Sequence, residues 1–153
     1  IAIAPITYVI QKQEIYKTMK RRFVVFGGFS GALGVALGAM GAHFLKSQLA
    51  TGLITATNLQ TFETAVRYQM YHAIALLAIG LLYDRCKNDF YFKAGYCFMI
   101  GTVLFSGSLY LLATAKLIGL AGLSILGPIT PIGGLFFIAG WLLLGYAGMK
   151  KNK

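Results

Sequence analysis

From Phe23 to Leu45 the chain runs for 23 residues without an aspartate, glutamate, lysine or arginine. As a helix rising 1.5 Å per residue this stretch measures about 34 Å, enough to cross a hydrocarbon core of about 30 Å. Three further runs follow. The second ends at Tyr83, before Asp84-Arg85, and counting back about 20 residues places its outer end near Thr64. The third extends from about Tyr91 to Ala115, where Lys116 ends it, and the fourth from about Ile129 to Met149. Only 12% of the chain is charged while 58% is apolar, against about 25% charged residues in a soluble domain. With a mean hydropathy of +0.71, the composition excludes a disordered chain and argues against a water-soluble globule. The expected fold is an all-α integral membrane protein, a bundle of four transmembrane helices.

The net charge of +10 raises the question of nucleic acid, and the position of the charges answers it. Lys12, Lys17, Lys20, Arg21 and Arg22 precede the first run. Arg85, Lys87 and Lys93 separate the second from the third, and Lys150, Lys151 and Lys153 form the tail. Only Lys46, Arg67 and Lys116 remain for the other side. Eleven against three is the positive-inside asymmetry of a membrane protein, which predicts both termini inside. No segment offers the folded basic face that nucleic acid requires.

The connections differ in kind. Ser47 to Thr61 is polar and reads as an outer loop, with Thr61 and Glu63 as the cap and first-turn carboxylate of the second helix. Asp84 to Asp89 reads as a short charged inner turn. Leu117 to Gly127 is almost wholly apolar. It fits an extension of the third helix, an interfacial segment or a re-entrant one. In residues 1–18 the lysines follow the apolar stretch Ile1–Pro5, the reverse of a secretory signal. An N-terminal extension, a presequence remnant and an interfacial segment all fit, ahead of a membrane domain over 19–153. Cys86 and Cys97 lack the spacing of a zinc or redox motif and read as ordinary thiols.

Several stretches form a recognisable set. They are Leu37-Gly38-Ala39-Met40-Gly41-Ala42-His43, Tyr68-Gln69-Met70-Tyr71-His72-Ala73, Gly101 through Tyr110, Ile129-Thr130-Pro131-Ile132-Gly133-Gly134 and Gly140-Trp141. Together, over about Met19 to Met149, the chain resembles the YgdD/YwdK-type small inner-membrane proteins, a domain-of-unknown-function family with a mitochondrial relative in animals. The resemblance implies a four-helix protein of a bacterial inner membrane or, alternatively, of the mitochondrial inner membrane. It brings no activity with it.

The residues themselves offer two kinds of surface. Gly27, Gly31, Gly34, Gly38 and Gly41 recur at spacings of four and three, on one helical face. Such a stripe admits a close backbone, either within the bundle or from a partner subunit. The second run carries Glu63 and Arg67 at i, i+4, then Gln69 and His72. The third carries Thr102, Ser106 and Tyr110, also four apart. These seven residues are the candidate polar site: hydroxyls bond across helices or back to their own carbonyls, and an ionisable group at membrane depth is a functional candidate. Arg67 is expected to pair with Glu63 or a lipid phosphate, and His72 to point inward near hydroxyls. Gly127-Pro128-Ile129-Thr130-Pro131 cannot continue a regular helix and sets the entry of the fourth run. A haem held by His43 and His72 is disfavoured, because the two lie about 12 Å apart in depth by helical rise. No catalytic constellation, metal cluster or cofactor motif stands out. The expected role is therefore non-enzymatic: an accessory or scaffold subunit packing through glycine-rich helix faces, with the bilayer and other membrane subunits or further copies as partners. The alternative is a small transporter or ligand-binding membrane protein using the polar half of the second helix.

Overall fold

A computed structural model describes residues 3–86, 88–120 and 126–149. Lys87, the middle of the 117–127 connection and the tail lysines lie outside the described residues, as does the side chain of Cys86. The chain forms four helical rods. The first comprises α1 (Ile3–Met40), a π-helical turn over Gly41–Leu45 and α2 (Lys46–Ala50). The second is α3 (Ala56–Cys86). The third comprises α4 (Asp89–Gly101), a second π-helical turn over Thr102–Ser106 and α5 (Gly107–Thr114). The fourth is α6 (Ile129–Met149). All four are long and apolar enough to cross a membrane, and among the described residues there is no strand.

Helix ends explain where the rods depart from the hydropathy reading. Gly52, at φ +77°, adopts the left-handed conformation that closes a helix. Its N–H reaches Leu49 O at 3.0 Å, while Leu53 N–H reaches Gln48 O at 3.1 Å. Gly119, at φ +69°, closes the third rod with the same pair of bonds, Gly119 to Lys116 and Leu120 to Ala115. The next helix then starts earlier than expected. Thr55 Oγ1 accepts from Asn58 N–H at 3.2 Å, and Asn58 Oδ1 accepts from Thr55 N–H at 3.0 Å. This reciprocal cap satisfies two orphan donors and begins α3 at Ala56. The expected cap at Thr61 and Glu63, and the start near Thr64, are thus corrected by about two turns. The supposed outer loop 47–61 is mostly helical, with only residues 51–55 outside a helix. Residues 3–18 are likewise the unbroken beginning of α1, which at 38 residues is longer than one crossing needs.

The rods pair as α1 along α3 and α4 along α6, with α3 joined to the third rod through α4 and α5. One apolar core gathers Phe23, Leu76, Ile79, Ala94, Phe98 and Phe137. A second, toward the α2 end of the bundle, gathers Leu45, Ile54, Phe62 and Ala113. Small residues set the spacing. The five glycines of the first run look toward α3: a Cβ added at Gly27 would lie 3.0 Å from Ala73 O, at Gly34 2.7 Å from Met70 Sδ, and at Gly41 3.2 Å from the Phe62 ring. Gly38 and Gly31 have ordinary clearance, 3.5 Å from Val66 and 4.0 Å from Ala73. Between the third rod and α6, Phe137 fills the notch at Gly101 and Phe98 that at Gly140, each leaving 2.5 Å for a Cβ. Gly133 abuts the Phe105 backbone itself.

These clearances rank substitutions. Gly133→Ala should lower stability by about 1–3 kcal/mol, because backbone rather than a flexible tip must yield. Gly34→Ala should be milder, since Met70 can swing its sulfur away. Gly28, with nothing within 4 Å of an added Cβ, should accept alanine without loss. Thermal unfolding of the three variants in one detergent checks this order, and equal melting for Gly133→Ala and Gly28→Ala would contradict it.

Candidate functional site

Burial along α3 follows the helical period. Ala65, Gln69, His72, Leu76 and Ile79 are buried, each three or four residues after the last. The opposite edge carries Glu63, Arg67, Tyr71 and Ile74, all exposed. The polar residues of this helix therefore divide into an inward pair and an outward pair.

Gln69 is 3% exposed and bonded at both ends of its amide. Its Nε2–H donates to Ser30 O of α1 at 2.8 Å, and its Oε1 accepts from Tyr110 Oη–H of α5 at 2.8 Å. Three helices meet on one side chain. His72, 2% exposed, is also held at both ring nitrogens. Nδ1 lies 2.7 Å from Tyr68 O, and Trp141 Nε1–H of α6 points at Nε2 from 3.2 Å. A carbonyl only accepts and an indole N–H only donates, so these partners assign the neutral ring with its proton on Nδ1. The imidazole stacks on Phe137 with centroids 3.4 Å apart and planes within 4°, and Phe98 packs beside it at 5.1 Å. The expected inward direction of His72 is seen, although its surroundings are aromatic rings, a carbonyl and an indole rather than hydroxyls.

The third rod's hydroxyls divide similarly. Thr102 bonds back to Phe98 O at 2.8 Å, while Tyr110 bonds across. Ser106 Oγ is buried without a partner, as is Ser30 Oγ. Ser108 Oγ and Thr130 Oγ1, 2.6 Å apart, link α5 to α6. A groove of about 380 Å³ between α1 and the third rod is floored by Gln69, Ser30 and Thr102 and flanked by Phe29, Leu33 and Val103. Gly107 leaves open space there.

Outside the bundle, Arg67 donates from Nη2 to Thr64 Oγ1 at 3.2 Å. Among the described residues no ion pair joins it to Glu63, which corrects that half of the expectation. The contacts of Gly34 with Met70 and of Gly38 with Val66 set Arg67 level with Leu37. That is nine residues along the first rod from Lys46, toward its middle. Helical side chains lean toward the N-terminus, and Arg67 does so, toward Thr64. His43 is exposed, and His72 is enclosed, so the two do not face one site. Among the described residues, no group of three or more His, Cys, Asp or Glu is placed to hold a metal ion.

Two partners were invisible to sequence reasoning. Ser30 contributes a carbonyl, which any residue would carry. Trp141 was part of a recognisable motif but had no assigned chemistry.

If Gln69 binds α1 and α5 as a unit, Tyr110→Phe should cost about 0.5–1.7 kcal/mol, the range of interhelical bonds in lipid. Its effect should be non-additive with Gln69→Leu and additive with Trp141→Phe, which touches the separate histidine contact. A double-mutant cycle on unfolding in mixed micelles measures both, and additivity between Tyr110 and Gln69 would refute the bridge.

Comparison with known proteins places this architecture. The DUF423 family, described as a protein of unknown function, matches residues 37–134. The membrane protein YwdK of Bacillus subtilis is 40% identical over 129 residues, 84% of this chain and 96% of the relative. The membrane protein SH2409 of Staphylococcus haemolyticus is 42% identical over 122 residues, 80% of this chain and 90% of that one. The inner membrane protein YgdD of Escherichia coli K12 is 36% identical over 137 residues, 88% and 96% of the two chains. No solved structure matches. The chain belongs to the DUF423 family, as a four-helix integral membrane protein.

Proposed function

We propose that this protein is a non-enzymatic accessory or scaffold subunit of an inner membrane, its helices packed through glycine-rich faces and its termini on the inner side. One observation carries the reading: Glu63 and Arg67 stand exposed on the outward face of a helix long and apolar enough to cross a membrane, with Arg67 level with Leu37 of the charge-free first run. Charged residues at such depth nearly always face protein or water rather than acyl chains. The inward polar groups point the same way. Gln69 and His72 are engaged with Ser30, Tyr110, Tyr68 and Trp141. A proton relay through His72 would have to break a bond that holds α6 to α3.

Purification in a mild detergent should recover a stoichiometric membrane partner. Arg67→Ala should reduce its recovery severalfold while leaving the unfolding temperature of the isolated chain unchanged. Recovery of the chain alone from several native-lipid preparations would overturn the accessory reading.

The groove beside Ser30 favours ligand binding as a second reading, with transport as its extension. His72→Gln keeps a hydrogen-bonding side chain and should be tolerated by a scaffold. Loss of a measurable solute or proton flux in an intact fold would decide for transport.

The orientation has its own test. Cysteines placed singly at Lys87 and Thr55, in a background lacking Cys86 and Cys97, should be labelled from opposite sides of sealed vesicles, with Lys87 inside. Labelling from the same side would contradict the four-span topology.

A further inference from the structure

A second groove lies away from the polar residues of α3. It is a groove of about 500 Å³ at the end of the bundle that carries the N-terminus, between the arm of α1 and the first turns of α4. Lys12 and Tyr16 stand on one wall, Asp89, Phe92 and Lys93 on the other, with Ile15 at its edge. Its level follows from helical rise. Lys93 precedes by two residues, about 3 Å, the Gly95 that abuts Phe23, which is headgroup depth, and Tyr16 precedes Phe23 by seven residues, about 10 Å, at the outer limit of the headgroups. Phe23 is fully buried and seals the floor below, edge-on to Phe92 and Tyr96 at 5.8 and 5.6 Å.

The chemistry of the groove is that of an anion carrier. Two helices each bring one ammonium group to it. Lys12 Nζ lies 5.5 Å from the Tyr16 ring centroid and Lys93 Nζ 5.4 Å from that of Phe90, so each rests on an aromatic face. Among the described residues the one carboxylate lining the groove, that of Asp89, accepts the Tyr16 hydroxyl at 2.8 Å and so ties the arm to α4. Two cations against one anion leave the groove positive. On the same arm Lys17, Lys20, Arg21 and Arg22 outnumber Glu14 and raise the local potential further. The positive end of the α4 dipole points to the same place, behind the Asn88 cap. Beside these charges lies apolar surface, since Ile15 and Tyr8 are about half exposed or more. A free inorganic anion would leave that surface uncovered. A zwitterionic lipid would set its own cation against Lys12 and Lys93. A phosphodiester bearing acyl chains and no compensating cation suits both halves of the groove, and basic pockets on this side of membrane proteins hold such lipids.

We propose that this groove binds the headgroup of one anionic phospholipid, with Lys12 and Lys93 on the phosphate, Ile15 against the headgroup's carbons and Phe92 against the glycerol and first methylenes. The site requires the arm of α1 before residue 37, where the family match begins. It does not depend on the scaffold reading.

The full-length chain in neutral detergent, titrated with phosphatidylglycerol or phosphatidylcholine and read by native mass spectrometry, tests the proposal. One phosphatidylglycerol per chain should be retained in preference to phosphatidylcholine. Lys12→Gln and Lys93→Gln should each weaken retention about fivefold, the equivalent of about 1 kcal/mol per basic residue at a membrane surface. Lys116→Gln, at the opposite end, should change nothing. Ile15→Ser alters no charge and should also weaken retention, which separates a lipid from a bare anion. Circular dichroism of each variant reports on its fold. Equal retention of both lipids, an unaffected Lys12→Gln/Lys93→Gln double variant, or full displacement by millimolar inorganic phosphate would overturn it.

Discussion

One buried amide couples three of the four rods. In hydrocarbon an amide without partners is worth roughly 4–8 kcal/mol of lost solvation, so Gln69 must be satisfied by protein wherever it sits. It meets an α1 carbonyl on one side and a phenol of α5 on the other. Apolar contacts alone tolerate sliding between helices, because a bilayer supplies equivalent contacts at every depth. A donor and an acceptor on one side chain do not. They fix the depth of α1 and α5 against α3 together. The glycine contacts then fall in register: Gly34 stands against Met70, next to Gln69 in sequence, and Gly41 against Phe62 two turns further out. A slip of one turn, about 5.4 Å, would break both bonds and put each glycine opposite a different side chain.

His72 performs the same task toward α6. Its engaged nitrogens and its stack on Phe137 sit between two notches, Gly101 holding Phe137 and Gly140 holding Phe98. Aromatic rings lie in the places where α4 and α6 lack side chains, so the two backbones approach while rings fill the space. The bundle is thus two close helix pairs joined through polar contacts of α3.

Hydropathy made the rods legible because lipid imposes the same demand on every crossing segment. The bounds of the fourth, Ile129 to Met149, agree with the structure, since Pro128 precedes it and lysines follow. The start of α3 was not legible. Thr55 and Asn58 lie in a polar stretch where hydropathy carries no signal, and their reciprocal bonds extend the helix past the apolar run. The stops at Gly52 and Gly119 depend on left-handed backbone, for which glycine is necessary but not diagnostic. At the site, the inward turn of Gln69 and His72 followed from the cost of facing acyl chains. Their partners did not follow, because Ser30 acts through its main chain and Trp141 is distant in sequence. The Glu63–Arg67 spacing suggested an ion pair, yet Thr64, three residues before Arg67, is equally near on the same helix and takes the bond.

That outward strip is where the fold is least self-sufficient. Every turn of α3 from Ala65 to Ile79 presents to the bundle a residue that is buried, and Gln69 and His72 among them are hydrogen-bonded. The other edge of the same helix presents a guanidinium whose hydroxyl partner neutralises no charge, and a carboxylate one turn away. In a bilayer, snorkelling would carry the arginine toward the headgroups but leave its stem and the neighbouring Tyr71, 57% exposed, along the lipid boundary. On a membrane-crossing helix such charges call for protein or water rather than acyl chains, and that demand is what the proposed accessory role would answer. The physics that closes the bundle on the inside is thus the same physics that the proposal applies to the outward strip.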